Sequence, residues 1–164
     1  MSLSEQDIQW YENSISQLRE AVAGLTEAQL THKPSPHAWS VTEVLSHLAD
    51  HHIVVSYRIR EIISDSAARL PAFDQDAWVL HSRANESSAA DILDFFEALV
   101  KYNRLLFKRI PAEYGEKSAV NIRGQRVTLS EVIRSFAEHL QTHLRQIARI
   151  LGDAPAGSRT ENAV

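Results

Sequence analysis

Apolar residues recur along this chain at alternating steps of three and four over four long stretches, the spacing of one face of an α-helix. In the first stretch Ile8, Tyr11, Ile15, Leu18, Val22 and Leu25 form a single stripe. It predicts one helix over residues 4–24, with Ser4 as N-cap and Gly24 as stop. A connection follows over 25–39. There Thr26 and Gln29 have capping-box spacing for one short turn, and Pro34 and Pro36 forbid a continuous helix. The second helix opens at Ser40, with Glu43 completing a capping box and Trp39 just outside it. Val41, Val44, Leu45, Leu48, His52, Val55, Ile59, Ile62 and Ile63 outline its inward face.

Residues 64–87 form a long connection containing Pro71, with room for some helix. In a compact domain such a segment crosses the bundle or lines a site. The third helix is predicted over 88–110, with the stripe Ile92, Phe95, Phe96, Leu99, Asn103, Leu106 and Ile110, and Pro111 ends it. A shorter connection holds Gly115 and Gly124, and its residues 121–127 alternate loosely, as a small hairpin would. Thr128 and Glu131 form a further capping box for the fourth helix. Its buried face reads Leu129, Val132, Ile133, Phe136, Leu140, Leu144, Ile147 and Leu151, and Gly152 closes it. Four helices of about 20 residues, each with one apolar stripe, bury those stripes against each other, so an all-α four-helix bundle is expected. The long connection between helices two and three predicts a parallel crossover there.

A length of 164 residues fits one domain, taken as 1–152, with a disordered tail over 153–164. The formal charge is −4, and there is no basic stripe to neutralise a row of phosphates, which argues against a nucleic-acid partner. No apolar run approaches the ~20 residues of a membrane span. Met1 to Trp10 has no basic start followed by an apolar core, so no secretory signal is expected and a cytoplasmic location is. The absence of cysteine excludes disulfides, Cys-based zinc sites and a Cys nucleophile. If thiol chemistry takes place, a small molecule must bring the thiol.

The compositional oddity is eight histidines. His139 and His143 are four apart, which puts both rings on one helix face, within or beside its apolar stripe. His47 and His51 form a second such pair. Chance alone gives about 0.4 pairs in a chain of this composition, so spacing by itself also fits core or surface histidines hydrogen-bonded to neighbours. Position along the bundle adds to it. His47 lies seven residues after Ser40, and His143 eight before Leu151. At ~1.5 Å per residue both lie roughly 10–12 Å from the same end if helices two and four are antiparallel. Three imidazoles from His47, His139 and His143 would then meet in one layer. Three buried polar rings without partners are costly, and a metal ion removes the cost. A three-histidine set leaves positions open for water or substrate, as catalytic sites do. No Glu-x-x-His, His-Glu-x-x-His, glycine-rich phosphate loop or Gly-x-Ser-x-Gly is present.

The run from Trp39 to Asp50, the stretch Phe73-Asp74-Gln75-Asp76-Ala77-Trp78 and the segment from Thr128 to His143 resemble, in order and spacing, the DinB-like superfamily. The resemblance covers about residues 8–151. It implies an up-down-down-up bundle with a divalent metal, zinc or nickel, held by His47, His139 and His143. It also implies a small-molecule substrate and a homodimer. Its relatives include S-transferases for bacillithiol or mycothiol, a mycothiol-dependent isomerase and metal-dependent hydrolases.

Three functions follow as expectations. The first is a metal-dependent S-transferase for a low-molecular-weight thiol cosubstrate, the metal favouring the thiolate. The second is a hydrolase using metal-bound hydroxide, which needs a general base; Asp50, one turn from His47, and Glu138, beside His139, are the candidates, each also readable as a surface charge or a hydrogen-bond partner of a ligand. The third is a metal-binding bundle without catalysis. His51 is read as a pocket residue, with a fourth-ligand role as the alternative, and His52 as a core residue. His32, His37 and His81 are expected in solvent. Trp39 and Trp78 read as packing anchors. Asp74 and Asp76 read as caps or hydrogen-bonding groups within the crossover, both with contact with the metal pocket as a second reading, and Asp76 as the cofactor-pocket candidate.

Overall fold

The computed structural model describes residues 3–152, and the tail expected over 153–164 lies outside them. Ser4 caps the first helix by accepting from the Asp7 backbone N–H. That helix comes in two pieces, α1 (Glu5–Glu12) and α2 (Ser14–Val22), and not as one rod. At the break the buried Ser14 hydroxyl donates to the Tyr11 carbonyl at 2.6 Å, a side-chain bond that competes with the helical ladder. Gly24 stands at φ +71°, a left-handed conformation natural to glycine, and turns the chain away. The Thr26–Gln29 capping box then starts α3 (Glu27–Thr31). The Ser40–Glu43 box starts α4 (Val41–Ile63), and Lys33 holds the same Glu43 carboxylate at 2.9 Å.

The long connection contains α5 (Gln75–His81), capped by Asp74, and a single 3-10 turn at Ala84–Glu86. Ser88 caps α6 (Ala89–Phe107). A two-stranded antiparallel hairpin follows, β1 (Ser118–Val120) and β2 (Arg126–Thr128), with Ala119 opposite Val127 and Gly124 at φ +78° in its turn. The Leu70 N–H donates to the Val120 carbonyl at 2.8 Å and ties the start of the crossover to this hairpin. Thr128 and Glu131 exchange capping bonds at the head of α7 (Leu129–Gly152). Among the described residues no helix is long and apolar enough to cross a membrane.

Side-chain pairings fix the helix directions. Glu12 meets Arg104 and Arg19 meets Asp94, so α1 and α2 run antiparallel to α6. Asp7 meets Arg134 and Gln17 meets Gln141, so they run parallel to α7. The His52 ring packs on Phe96 and Arg60 bonds Asn103, so α4 and α6 are parallel. The His52 ring also packs on Phe136 while His47 meets His143, so α4 and α7 are antiparallel. The order is up-down-down-up, with the 64–88 segment as the crossover.

The α6 face differs from the expected stripe. Leu93, Phe96, Val100, Asn103 and Phe107 are buried, whereas Phe95 is 44% exposed. Apolar residues occupy a wide arc of this helix, so several stripes have the right period. Packing between α4 and the α1–α2 pair selects the one led by Leu93. The core is completed by Leu45, Leu48, Ile59, Ile62, Ile133, Phe136 and Leu140, each all but inaccessible to solvent. Burying a side chain of this size contributes about 1.5–3 kcal/mol.

One polar cluster lies inside this core. The Asn103 amide donates to the Tyr11 hydroxyl and to the Ser56 hydroxyl, both at 2.7 Å, and its carbonyl accepts from Arg60 at 2.9 Å. The Tyr11 hydroxyl is itself hydrogen-bonded to His52 Nε2. His52 is fully buried, as expected, and burial pushes its imidazole pKa down to about 3. The cluster joins α1, α4 and α6 at one level.

Candidate metal centre

α4 and α7 cross so that three imidazole rings meet. His47 comes from α4, and His139 and His143 from successive turns of α7. His47 Nε2 lies 3.2 Å from His139 Nε2, and His143 Nε2 lies 3.1 Å from the same atom. One nitrogen from each ring falls within 4.8 Å of the other two. His47 and His143 are buried and His139 is half-buried. Burial, reinforced by His143 and His139, pushes the His47 imidazole pKa down to about 3. Burial also lowers His139 to about 4 and lowers His143. Burial thus favours the neutral form of all three rings, the form that binds metals.

One ring is oriented by a partner. His143 Nδ1 lies 2.7 Å from Gln146 Oε1. An amide oxygen only accepts, so Nδ1 carries the ring proton and Nε2 is left with its lone pair towards the other rings. The Nδ1 atoms of His47 and His139 are buried with no hydrogen-bond partner. With His143 Nε2 unprotonated, His139 Nε2 can offer at most one proton to two neighbouring lone pairs. Hydrogen bonding thus leaves the triad unsatisfied. A cation suits it: nitrogens 2.0–2.1 Å from a tetrahedral zinc are about 3.3–3.4 Å apart, close to the observed separations. The donor set fits a borderline divalent ion.

Aromatic rings wall the cluster. Trp39 packs on His47 with centroids 5.0 Å apart and stacks over His143 at 6.3 Å. Phe73, brought in by the crossover, stacks on His47 at 6.1 Å, and Trp78 packs on Phe73 at 4.9 Å. Trp39 therefore contacts two members of the triad besides anchoring the start of α4.

The remaining candidates fall in different places. His51 stacks on His139, with centroids 3.9 Å apart, and lines a cavity of about 570 Å³. Burial pushes its imidazole pKa down to about 2. Asp76 is exposed and shares a second cavity, of about 460 Å³, with Trp39, His143 and Gln146. Asp74 is the α5 cap. Asp50 is half-buried, and burial raises its carboxyl pKa. Glu138 is exposed, and its backbone carbonyl accepts from Thr142. Neither carboxylate joins the histidine cluster, whose members are imidazoles alone among the described residues. His37 and His81 are exposed, while His32 is half-buried. Gln146 and Phe73 received no role from sequence reasoning. An amide three residues after His143 on the same helix was the available signal for Gln146.

Comparison with known proteins agrees with this picture. A family model described as the DinB superfamily matches residues 11–147. A protein of Oceanobacillus iheyensis, named as a candidate metal-dependent hydrolase, is 24% identical over 139 residues, covering 83% of this chain and 78% of that one. YfiT of Bacillus subtilis, similarly named, is 30% identical over 84 residues, 51% of this chain and 46% of that one. The solved structure of YfiT, described as having an unusual four-helix-bundle topology, superposes with a TM-score of 0.82 at 20% identity, covering 92% of this chain and 89% of that one. The mycothiol-dependent maleylpyruvate isomerase superposes at 0.70 with 10% identity, covering 87% of this chain and 60% of that one.

Proposed function

We propose that this chain, which belongs to the DinB superfamily, is a metal-dependent enzyme whose His47, His139 and His143 hold one divalent ion for activation of a small nucleophile. The observation that carries this reading is the meeting of three imidazoles, with Nε2 separations of 3.1 and 3.2 Å, that hydrogen bonds alone leave unsatisfied. When bound, the ion supplies Lewis-acid activation of whatever donor occupies its open positions. The chain's own contribution is orientation and exclusion of water. Gln146 holds the His143 proton at Nδ1. Trp39 and Phe73 pack on the ligand rings and fix their planes.

A thiol is the nucleophile we favour. No carboxylate joins the histidine cluster among the described residues, so none stands beside the ion's place to take a proton from water. A thiol is acidic enough to reach its thiolate with the ion's help alone. The chain itself lacks cysteine, so the thiol would be a cosubstrate. The mycothiol dependence named for the isomerase of like fold is consistent with this. Hydrolysis is the second reading, favoured by the names of the two sequence relatives. Asp50, with its raised carboxyl pKa, is then the nearer base candidate in sequence to His47.

Elemental analysis of untagged protein tests the first step, with about one divalent ion per chain expected and His143→Ala expected to lose it. Loaded protein is then assayed with small thiols paired with electrophiles and, separately, with ester and amide substrates. Turnover only in the first set supports the transferase, and only in the second the hydrolase. Absence of stoichiometric metal from untagged protein overturns both.

A further inference from the structure

The cavity of about 570 Å³ on the His51 side of the histidine cluster has an unusual wall. Arg58 of α4 and Arg123 and Arg126 of the hairpin all line it, with Glu131 as the acid among the lining residues. In a chain of net charge −4 this is a local excess of positive charge. Glu131 is already committed, since its carboxylate accepts from the backbone N–H and hydroxyl of Thr128 at the head of α7. Among the described residues, none of the three arginines has a carboxylate within ion-pair distance, whereas Arg19, Arg83, Arg104 and Arg134 are paired.

Two of the guanidiniums are pre-set. Arg58 donates from Nε at 3.0 Å and Nη2 at 2.6 Å to the Pro71 carbonyl. This fixes its plane and leaves Nη1 without a partner among the described residues. Arg126 donates from Nε to the Ser118 hydroxyl at 2.6 Å, leaving its terminal nitrogens available. Arg58 is also half-buried, and burial disfavours its charged form, so a counter-anion would be held more firmly there than at an open surface. Val55, Leu70 and Phe136 supply an apolar floor. The floor reaches the histidine cluster through one ring, because His51 lines the cavity and stacks on His139.

We propose that this cavity binds a small molecule bearing a carboxylate or phosphate, with Arg58, Arg123 and Arg126 holding the anionic group and the apolar floor holding the rest. This names the substrate class of the metal-dependent reaction and rests on that reading for its catalytic meaning, but the anion site itself needs no metal. A planar arginine fork matches both oxyanions.

Calorimetric titration of the full-length, as-purified chain tests it, with malonate, inorganic phosphate and uncharged malonamide as probes. Malonate or phosphate is expected to bind, more weakly as salt is raised, and malonamide not to bind. The stronger of the two anions identifies the group. The Arg123→Gln/Arg126→Gln double variant should weaken that binding at least tenfold with metal content and melting temperature unchanged, because both residues sit on the hairpin, away from the core. Equal binding of malonamide overturns the proposal. So does undiminished anion binding in the double variant, which would place the anion on the metal. Protein that holds no metal yet binds the anion, with loss in the double variant, would refute the metal-dependent reading and leave the anion site standing.

Discussion

Gln146 accepts the Nδ1 proton of His143 at 2.7 Å, one turn further along the same helix. This contact decides which nitrogen of His143 faces the other two rings. Replacing Gln146 with Leu removes the acceptor and frees the ring to turn over. Loss of such an orienting partner typically costs 10–100-fold in metal affinity. Titration against a chelating competitor should find Gln146→Leu at least about tenfold weaker and Gln146→Glu close to the parent. A Leu variant as tight as the parent would show that packing alone orients His143.

Trp39 should matter to the site beyond its role at the start of α4. Trp39→Ala removes a ring packed on His47 and His143 and opens the cluster to solvent. Faster metal release, measured by exchange into excess chelator, is the expected outcome. Unchanged release kinetics would confine Trp39 to folding.

The buried cluster around Asn103 makes a stability prediction. Asn103→Ala leaves the buried Tyr11 and Ser56 hydroxyls short of a donor each. Unsatisfied buried groups cost about 1–3 kcal/mol each. Urea unfolding should therefore show a loss of at least about 2 kcal/mol. A loss under about half a kcal/mol would mean water replaces the amide.

His52 predicts how stability responds to acid. Burial lowers its folded-state pKa to about 3, against about 6.5 for an unfolded chain. Below the unfolded value the unfolded state binds more protons, so the stabilisation is fully present above about pH 6.5 and is lost as pH falls towards 3. The slope from this group is up to about 1.4 kcal/mol per pH unit. Unfolding free energies of metal-free protein between pH 7 and 5 should fall more steeply for the parent than for His52→Gln. Parallel slopes would rule His52 out as a source of acid sensitivity.

The bundle and its helix starts were legible because their causes are local. Thr26–Gln29, Ser40–Glu43 and Thr128–Glu131 are capping pairs three residues apart, and each heads a helix. The convergence of His47 with His139 and His143 followed from counting residues from the helix ends, given antiparallel α4 and α7. The inward face of α6 was not legible, because its apolar arc admits more than one stripe and only its neighbours choose between them. The break at Asn13 was equally hidden, since it turns on the Ser14 hydroxyl bonding to the Tyr11 carbonyl. The arginine-lined cavity joins residues from α4 and the hairpin, and no periodicity links Arg58 to Arg126.

Because α4 and α6 point the same way, the chain has to travel the length of the molecule between them. That obligatory traverse lays Phe73 against His47 and puts Asp76 in the hollow beside His143. Rigid rods thus present the ligands, while a tethered ribbon furnishes much of the surrounding surface. Ribbon positions other than Phe73, Asp76 among them, can therefore reshape what enters without touching the ring of His47.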